Sequence, residues 1–583
     1  MKLLRVLAAL CAAPVALPVL ALLPAAAAGS GDLWPHLLRF VLPRALLESA
    51  LLLAGVGVVV VTVGAGCAWL VSCYRFPGRR LLTGALMLPL ALPTYVAAYA
   101  WLDVLHPAGP VQMALRRVLG VTDPRAIPLP EIRSLGGCVM VLGMVLFPYV
   151  YLAARAAFQT QGADALRAGR AAGAGGWRLF RRIGLPMARP AIAAGTALAL
   201  LETLNDVGAS EFLGVRTLTV SVYVTWITRS SLEGAAQIAL LLLLLVGAVM
   251  LLERQGQRAG AHEAAHPARA ELQTLRGPAG LAATLFCAVP VLLGFAIPVA
   301  YLAWAAWQRV ARFGLPPELG QWIGNSALLA GLATILALGA ALLLAFTARR
   351  DRTAAGPARA GAVLLRFGML GYALPGGVAA VGLIIAFGGI DAALGLLGRW
   401  APPLLSGSLA AVVLAYLIRF LAIPAGGLDA AYARLRREVD WSARAAGAGE
   451  ARLLWRIHLP LLLPALSAAA LLLFLDAMKE LPATLLLRPL NTETLATALY
   501  AEAARGTYEN GAVAALMLVL IGLPPILLLA TARRFFPAEG RAGRGLRPVL
   551  PTDLPMDLPA GLSAGIVSGP PGLHAAAGSR RNR

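Results

Sequence analysis

Two groups of residues in this 583-residue chain have the types and spacing for chemistry. His262, Glu263 and His266 read His-Glu-x-x-His, which on a helix puts two imidazoles on one face to hold zinc, with the carboxylate as base. Here the triplet lies in a polar stretch, Pro267 follows at once and no third ligand or apolar shell stands nearby, so a membrane zinc protease is not the expectation. The second group is Glu202, Asp206, Asp476, Lys479 and Glu480. All five lie in or at the end of apolar stretches long enough to cross a bilayer, where an ionised group facing lipid is costly. Glu202 matches Asp476, and Asp206 matches Glu480, at a constant spacing of 274 residues. These groups are expected to face a bundle interior, as a candidate translocation path whose carboxylates attract a cation or as an interhelical network with Lys479. Oxygen ligands suit a hard cation, and contact with cargo has to be weak if the cargo is to leave.

The same spacing of 274 relates a longer block. From Arg170 to Ala191 and from Arg444 to Ala465, fourteen of twenty-two positions are identical, which is internal duplication. Small residues around Gly173 and Gly447 allow a short helix, a tight turn and close approach by another surface. Leu179, Phe180 and Ile183, matched by Leu453, Leu454 and Ile457, form an apolar stripe at helical spacing. LeuPro at Leu185–Pro186 and Leu459–Pro460 is expected to stop that helix before the next span. His458, where the first copy has Gly184, reads as a solvated interface histidine. A loop built twice in register implies a surface that a second protein grips twice.

Positioning these residues requires membrane helices. Hydrophobic residues make up 59% of the chain and charged residues 13%, against roughly 25% charged in a typical soluble domain. Apolar windows place spans near 3–26, 46–72, 81–102, 136–156, 188–206 and 235–252, then 280–307, 324–347, 363–388, 405–426, 462–482 and 511–531. The expectation is an all-α polytopic membrane protein of about twelve transmembrane helices in two homologous six-helix halves. Its divisions are 1–252, a cytoplasmic linker at 253–279, a second unit at 280–535 and a disordered tail at 536–583. Segments 103–135 and 207–234 read as loops on the far side. The run from Met1 to Ala28 also fits a secretory signal, but its length favours a retained first span.

The net charge of +22 is carried by arginines in short loops that alternate to one side, the positive-inside pattern, which puts both termini in the cytoplasm. That placement accounts for the charge without a nucleic-acid partner. The lysines are Lys2 and Lys479, neither preceded by glycine, so no phosphate-cradling Gly-Lys-Ser/Thr loop exists. If ATP drives this protein, another chain binds it. Cys11, Cys67, Cys73, Cys138 and Cys287 have no paired spacing and read as small buried residues.

With those features in place, the chain resembles the membrane subunit of binding-protein-dependent ABC importers. The signature loop of that family reads Glu-Ala-Ala, three residues, Gly, then Ile-x-Leu-Pro. The glycine corresponds to Gly173 and Gly447, and Ile-x-Leu-Pro to Ile183, Leu185 and Pro186, then Ile457, Leu459 and Pro460. In place of Glu-Ala-Ala stand Arg167–Gly169 and Trp441–Ala443. The resemblance covers about residues 45–532 and implies that each loop is a coupling helix seated in a groove of an ATPase subunit. It assigns that role to Ala172, Gly173, Phe180, Ile183, Leu185 and Pro186, and to Ala446, Gly447, Leu454, Ile457, Leu459 and Pro460. Two copies of an ABC ATPase subunit, a periplasmic substrate-binding protein, a bacterial inner membrane and no cofactor or catalysis on this chain follow from it. The stretches Leu475–Pro489 and Asn205–Thr219 are most similar to the fused iron(III)-type permeases, although thiamine, polyamine and phosphonate-type permeases share the architecture. The contrasting reading is a twelve-helix carrier driven by an ion gradient, with Asp206, Asp476 or Glu480 carrying protons.

Overall fold

Leucine, alanine and valine runs bounded by arginine or proline fold as long helices, since a bilayer offers the backbone no hydrogen-bond partners but its own. The computed structural model describes residues 2–121, 130–160, 163–258, 272–353, 360–396 and 405–535. Among these, ten helices are long and apolar enough to cross a membrane. Two bent helix pairs, Leu3–Val15 with Leu17–Ala28 and Arg79–Ala91 with Thr94–Val104, bring the number to twelve. The all-α, two-times-six reading holds. Met1–Thr531 cluster as one unit, and the His262–His266 triplet and the 536–583 tail lie outside the described residues.

The amino-terminal pair belongs to the bundle. Arg5 pairs with Asp351 at 2.9 Å, and the backbone of Pro18 lies so close to Gly382 that a Cβ there would meet the Pro18 carbonyl oxygen at 2.4 Å. At the other end of the first half, the helix Leu232–Arg258 runs six residues into the expected linker. The linker then pairs Gln273–Thr274 in parallel with Tyr74–Arg75, tying it to the turn after the second span.

The third and ninth windows break at matching LeuPro steps. Leu92 and Leu374 are extended, with ψ of 115° and 117°, because proline disfavours the helical region in the residue before it. The first pair bends by 94° there. The sequence shows this as a second repeat, Ala91-Leu-Pro-x-x-Val-Ala-Ala98 against Ala373–Ala380.

Segment 207–234 is helical, not an open loop. It folds into Gly208–Phe212 and Leu218–Ile227, mostly buried, and the second half repeats this with Pro482–Leu487 and Leu495–Arg505. Matching hydrogen bonds hold the longer helices: the Leu218 N–H donates to Ser49 Oγ and the Leu495 N–H to Ser326 Oγ, both at 2.9 Å. Each bond links residues 169 apart, and the two bonds are related by 277 residues, so the repeat extends to individual contacts.

Candidate functional site: the duplicated loops and an axial chamber

The two loops have one backbone. Helix Ala163–Ala171 ends where Gly173 turns left-handed at φ 75°, and helix Glu438–Ala445 ends where Gly447 does so at φ 78°. In both, the glycine N–H donates to the carbonyl three residues back at 2.9 Å and the next alanine N–H to the one five back at 3.0 Å. That is the Schellman termination, in which positive φ favours glycine. The LeuPro steps do not stop the following helix, which is continuous over Gly176–Asn205 and Glu450–Met478. A π turn at Phe180–Gly184 and another at Leu453–His458 precede each proline, and the wider turn accommodates the missing N–H.

Exposure follows the repeat. Ala172, Gly173 and Pro186, with Ala446, Gly447 and Pro460, are exposed, whereas Phe180, Ile183 and Leu185, with Leu454, Ile457 and Leu459, are half-buried. Leu179 and Leu453 are fully inside the bundle. The apolar stripe therefore anchors each loop to its own half, and the exposed tip is the small-residue turn.

The anchors beneath the tips differ in chemistry. Under the first loop, Trp69 packs with Phe158 and Phe180 at centroid distances of 5.4 and 5.3 Å, and a Cβ on Gly184 would meet the Trp69 ring at 2.6 Å. Under the second, Phe346 replaces Trp69, and the smaller ring leaves room for His458. His458 is wholly buried, not solvated: its Nε2 lies 3.0 Å from Asp440 and its Nδ1 3.2 Å from the Tyr432 hydroxyl. Arg349 donates to both Asp440 oxygens at 2.9 Å and to the carbonyls of Tyr432, Leu435 and Arg436 at 2.8, 3.2 and 3.0 Å. The repeat puts Ser72 and Leu166 where this network has Arg349 and Asp440.

The five charged residues singled out in the sequence come together, with Arg419, around one cavity of about 90 Å³. Its lining includes Thr94, Tyr95, Tyr149, Asn205 and Arg419 beside Glu202, Asp206, Asp476, Lys479 and Glu480. Asp206 and Glu480 are occupied as helix caps. The Ala209 N–H donates to Asp206 at 2.6 Å, and the Ala483 and Thr484 N–H groups donate to Glu480 at 3.0 and 3.1 Å. Asp206 also accepts from the Thr94 hydroxyl. Glu480, one methylene longer, reaches Arg419 at 2.8 Å and leaves no room for a side chain at Gly376, where a Cβ would stand 2.7 Å from its Oε1.

Glu202, Asp476 and Lys479 keep side-chain exposures of 25, 34 and 33%. Lys479 pairs with Asp476 at 2.8 Å. Glu202 accepts from the Tyr372 hydroxyl at 2.7 Å, and Arg419 lies 3.8 Å away. Arg419 is the residue the sequence reading missed, though an arginine inside the apolar run Leu409–Phe420 was its signal. With all six ionised, the lining carries four negative and two positive charges. Among the described residues, no group of three or more His, Cys, Asp or Glu side chains is placed to hold a metal ion. The chamber offers dispersed polar contacts instead of a cage.

Residues 60–255 match the family model described as binding-protein-dependent transport system inner membrane component. Over 180 residues the chain is 32% identical to the molybdenum transport system permease protein ModB of Escherichia coli, covering 30% of this chain and 75% of that protein. The chain belongs to this family of binding-protein-dependent permeases. It is 25% identical over 495 residues to the Fe(3+)-transport system permease protein FbpB 2 of Haemophilus influenzae, covering 83% of this chain and 89% of that protein. A probable ABC transporter permease protein, y4fN of Sinorhizobium fredii, is 25% identical over 516 residues, 84% of this chain and 87% of its own. This protein is thus a multi-pass permease subunit of an ABC importer, a transport subunit rather than an enzyme, which works with an ATPase and a substrate-binding protein. The ion-gradient reading is not favoured.

Proposed function

We propose that this chain is the complete two-unit pore of a ferric-iron importer in a bacterial inner membrane. The observation that carries the solute is the extent of the likeness: the Fe(3+) permease aligns along both halves, whereas the molybdenum permease aligns with 30% of the chain. The chamber agrees in its chemistry, because carboxylate and phenol oxygens outnumber cationic groups and suit a hard cation better than an oxyanion.

In this reading two copies of an ATPase subunit seat the turns at Ala172–Gly173 and Ala446–Gly447. A periplasmic binding protein delivers cargo to the opposite face, and both termini lie with the arginine-rich loops in the cytoplasm. ATP-driven closure of the ATPase pair moves the two loops, and with them the continuous helices Gly176–Asn205 and Glu450–Met478, which end at the chamber. The lever is continuous from Gly176 and Glu450, directly after each turn, through the apolar stripe and into the span. Glu202, Asp476 and Lys479 contact the passing ion transiently, while Asp206 and Glu480 hold the short helices that shape the chamber.

The test is uptake into vesicles holding this chain with its ATPase and binding protein. Radiolabelled ferric iron should accumulate with ATP, and molybdate should not. Molybdate uptake without iron uptake would keep the importer and overturn the solute.

A further inference from the structure

The repeat locates the pseudo-twofold axis. In a two-fold arrangement, a residue that touches its own equivalent lies beside the axis. The spacing of 277 that relates Ser49 to Ser326 and Leu218 to Leu495 also relates Tyr223 to Tyr500. These two tyrosines meet edge to face, with ring centroids 6.1 Å apart and planes at 83°. The chamber is axial as well, since residues from both members of the equivalent pairs Glu202 and Asp476, Asn205 and Lys479, Val207 and Leu481 face one cavity.

Depth separates the two features. Tyr223 lies on Leu218–Ile227, whose first N–H is bound to Ser49. Ser49 is 24 residues from Cys73 along helix Leu42–Cys73, or about 36 Å at 1.5 Å per residue, so it sits near the end remote from the duplicated loops. The chamber lies deeper, where Val145 and Tyr149 of Leu135–Thr160 line it ten and fourteen residues in from that end. The tyrosine pair therefore stands on the axis between the chamber and the outer surface.

We propose that Tyr223 and Tyr500 form the outer gate of the translocation path, latched by Glu211. The Tyr500 hydroxyl donates to Glu211 Oε2 at 2.5 Å, and its ring stacks on Phe212 at 5.6 Å, so one short helix of the first half holds the gate residue of the second. Tyr500 is 6% exposed. Opening requires the Tyr500 hydroxyl to leave Glu211 and the two rings to part. Water then takes the place of both contacts, which makes the gate reversible. The inference depends on the geometry of the halves and not on which solute is carried.

The experiment needs no cargo. In a full-length chain with its five cysteines replaced, Leu90→Cys on the chamber wall is treated from outside with a membrane-impermeant thiol reagent, in nucleotide-free vesicles with the ATPase bound. Labelling should be slow with both tyrosines present, rise more than tenfold in Tyr223→Ala with Tyr500→Ala, and rise less in Tyr500→Phe or Glu211→Gln, which keep the packing and weaken the latch. The two gentler variants guard against misfolding of the alanine pair. Fast labelling with both tyrosines in place, or a rate that none of the variants alters, would overturn the assignment.

Discussion

Asp440→Asn would show how the second loop is held. In the native chain Asp440 accepts from Arg349 at 2.9 Å on both oxygens and lies 3.0 Å from His458, with Arg349 6% exposed and the other two fully buried. The amide keeps the shape and removes the charge, leaving Arg349 with the carbonyls of Tyr432, Leu435 and Arg436. Breaking a buried ion pair costs about 3–5 kcal/mol, and the three remaining acceptors put the loss near the lower figure. At about 1.4 kcal/mol per tenfold, that is on the order of 100-fold in the local opening of helix Glu438–Ala445. Hydrogen exchange read by mass spectrometry on the intact chain should show that loss at 438–445 and little change at 167–171, where rings form the anchor. An equal change in both loops, or none in either, would refute the reasoning.

Three further outcomes follow. Burial pushes the Asp440 carboxyl up, but the hydrogen bonds and charges of Arg349 and His458 more than offset this and hold it below the usual carboxylate range. A depressed carboxylate stabilises above its unfolded pKa and loses that contribution as pH falls through the folded value, so the part of second-loop protection that Asp440→Asn removes, corrected for intrinsic exchange, should be constant down to about pH 4 and shrink below it. Gly184→Ala should lower the melting temperature through its clash with Trp69, and adding Trp69→Phe should recover most of the loss if the rings alone set the space. Ser49→Ala and Ser326→Ala should each destabilise by about 1–3 kcal/mol in thermal unfolding, because each leaves a buried N–H unmatched. Unequal losses would argue against equivalent roles.

Periodicity and duplication were enough to place all twelve spans, because long apolar runs have one stable form in a bilayer. The same spacing of 274 brought Glu202, Asp206, Asp476 and Glu480 forward as a set, and the fold gathers them. What the residues did not show was which of them are spoken for. Asp206 caps Gly208–Phe212 inside the segment the sequence reads as a loop, because that helix and Leu218–Ile227 are too short to register as spans. Proline at 186 and 460 looked like a stop, but π turns are set by backbone hydrogen bonding and leave little trace in residue types. His458 reads as solvated from the sequence because its partners, Asp440 and Tyr432, stand 18 and 26 residues away on other helices.

The central claim is that ATP hydrolysis on partner chains moves this pore through the two small-residue turns. Ala172→Glu with Ala446→Glu tests it directly, because both alanines are exposed and neither holds its loop to the bundle. In vesicles with the ATPase and binding protein, the double variant should insert, keep its melting temperature and lose ATP-dependent ferric-iron uptake. Uptake at the native rate in that variant, or native uptake driven by a proton gradient without ATP, would contradict the account.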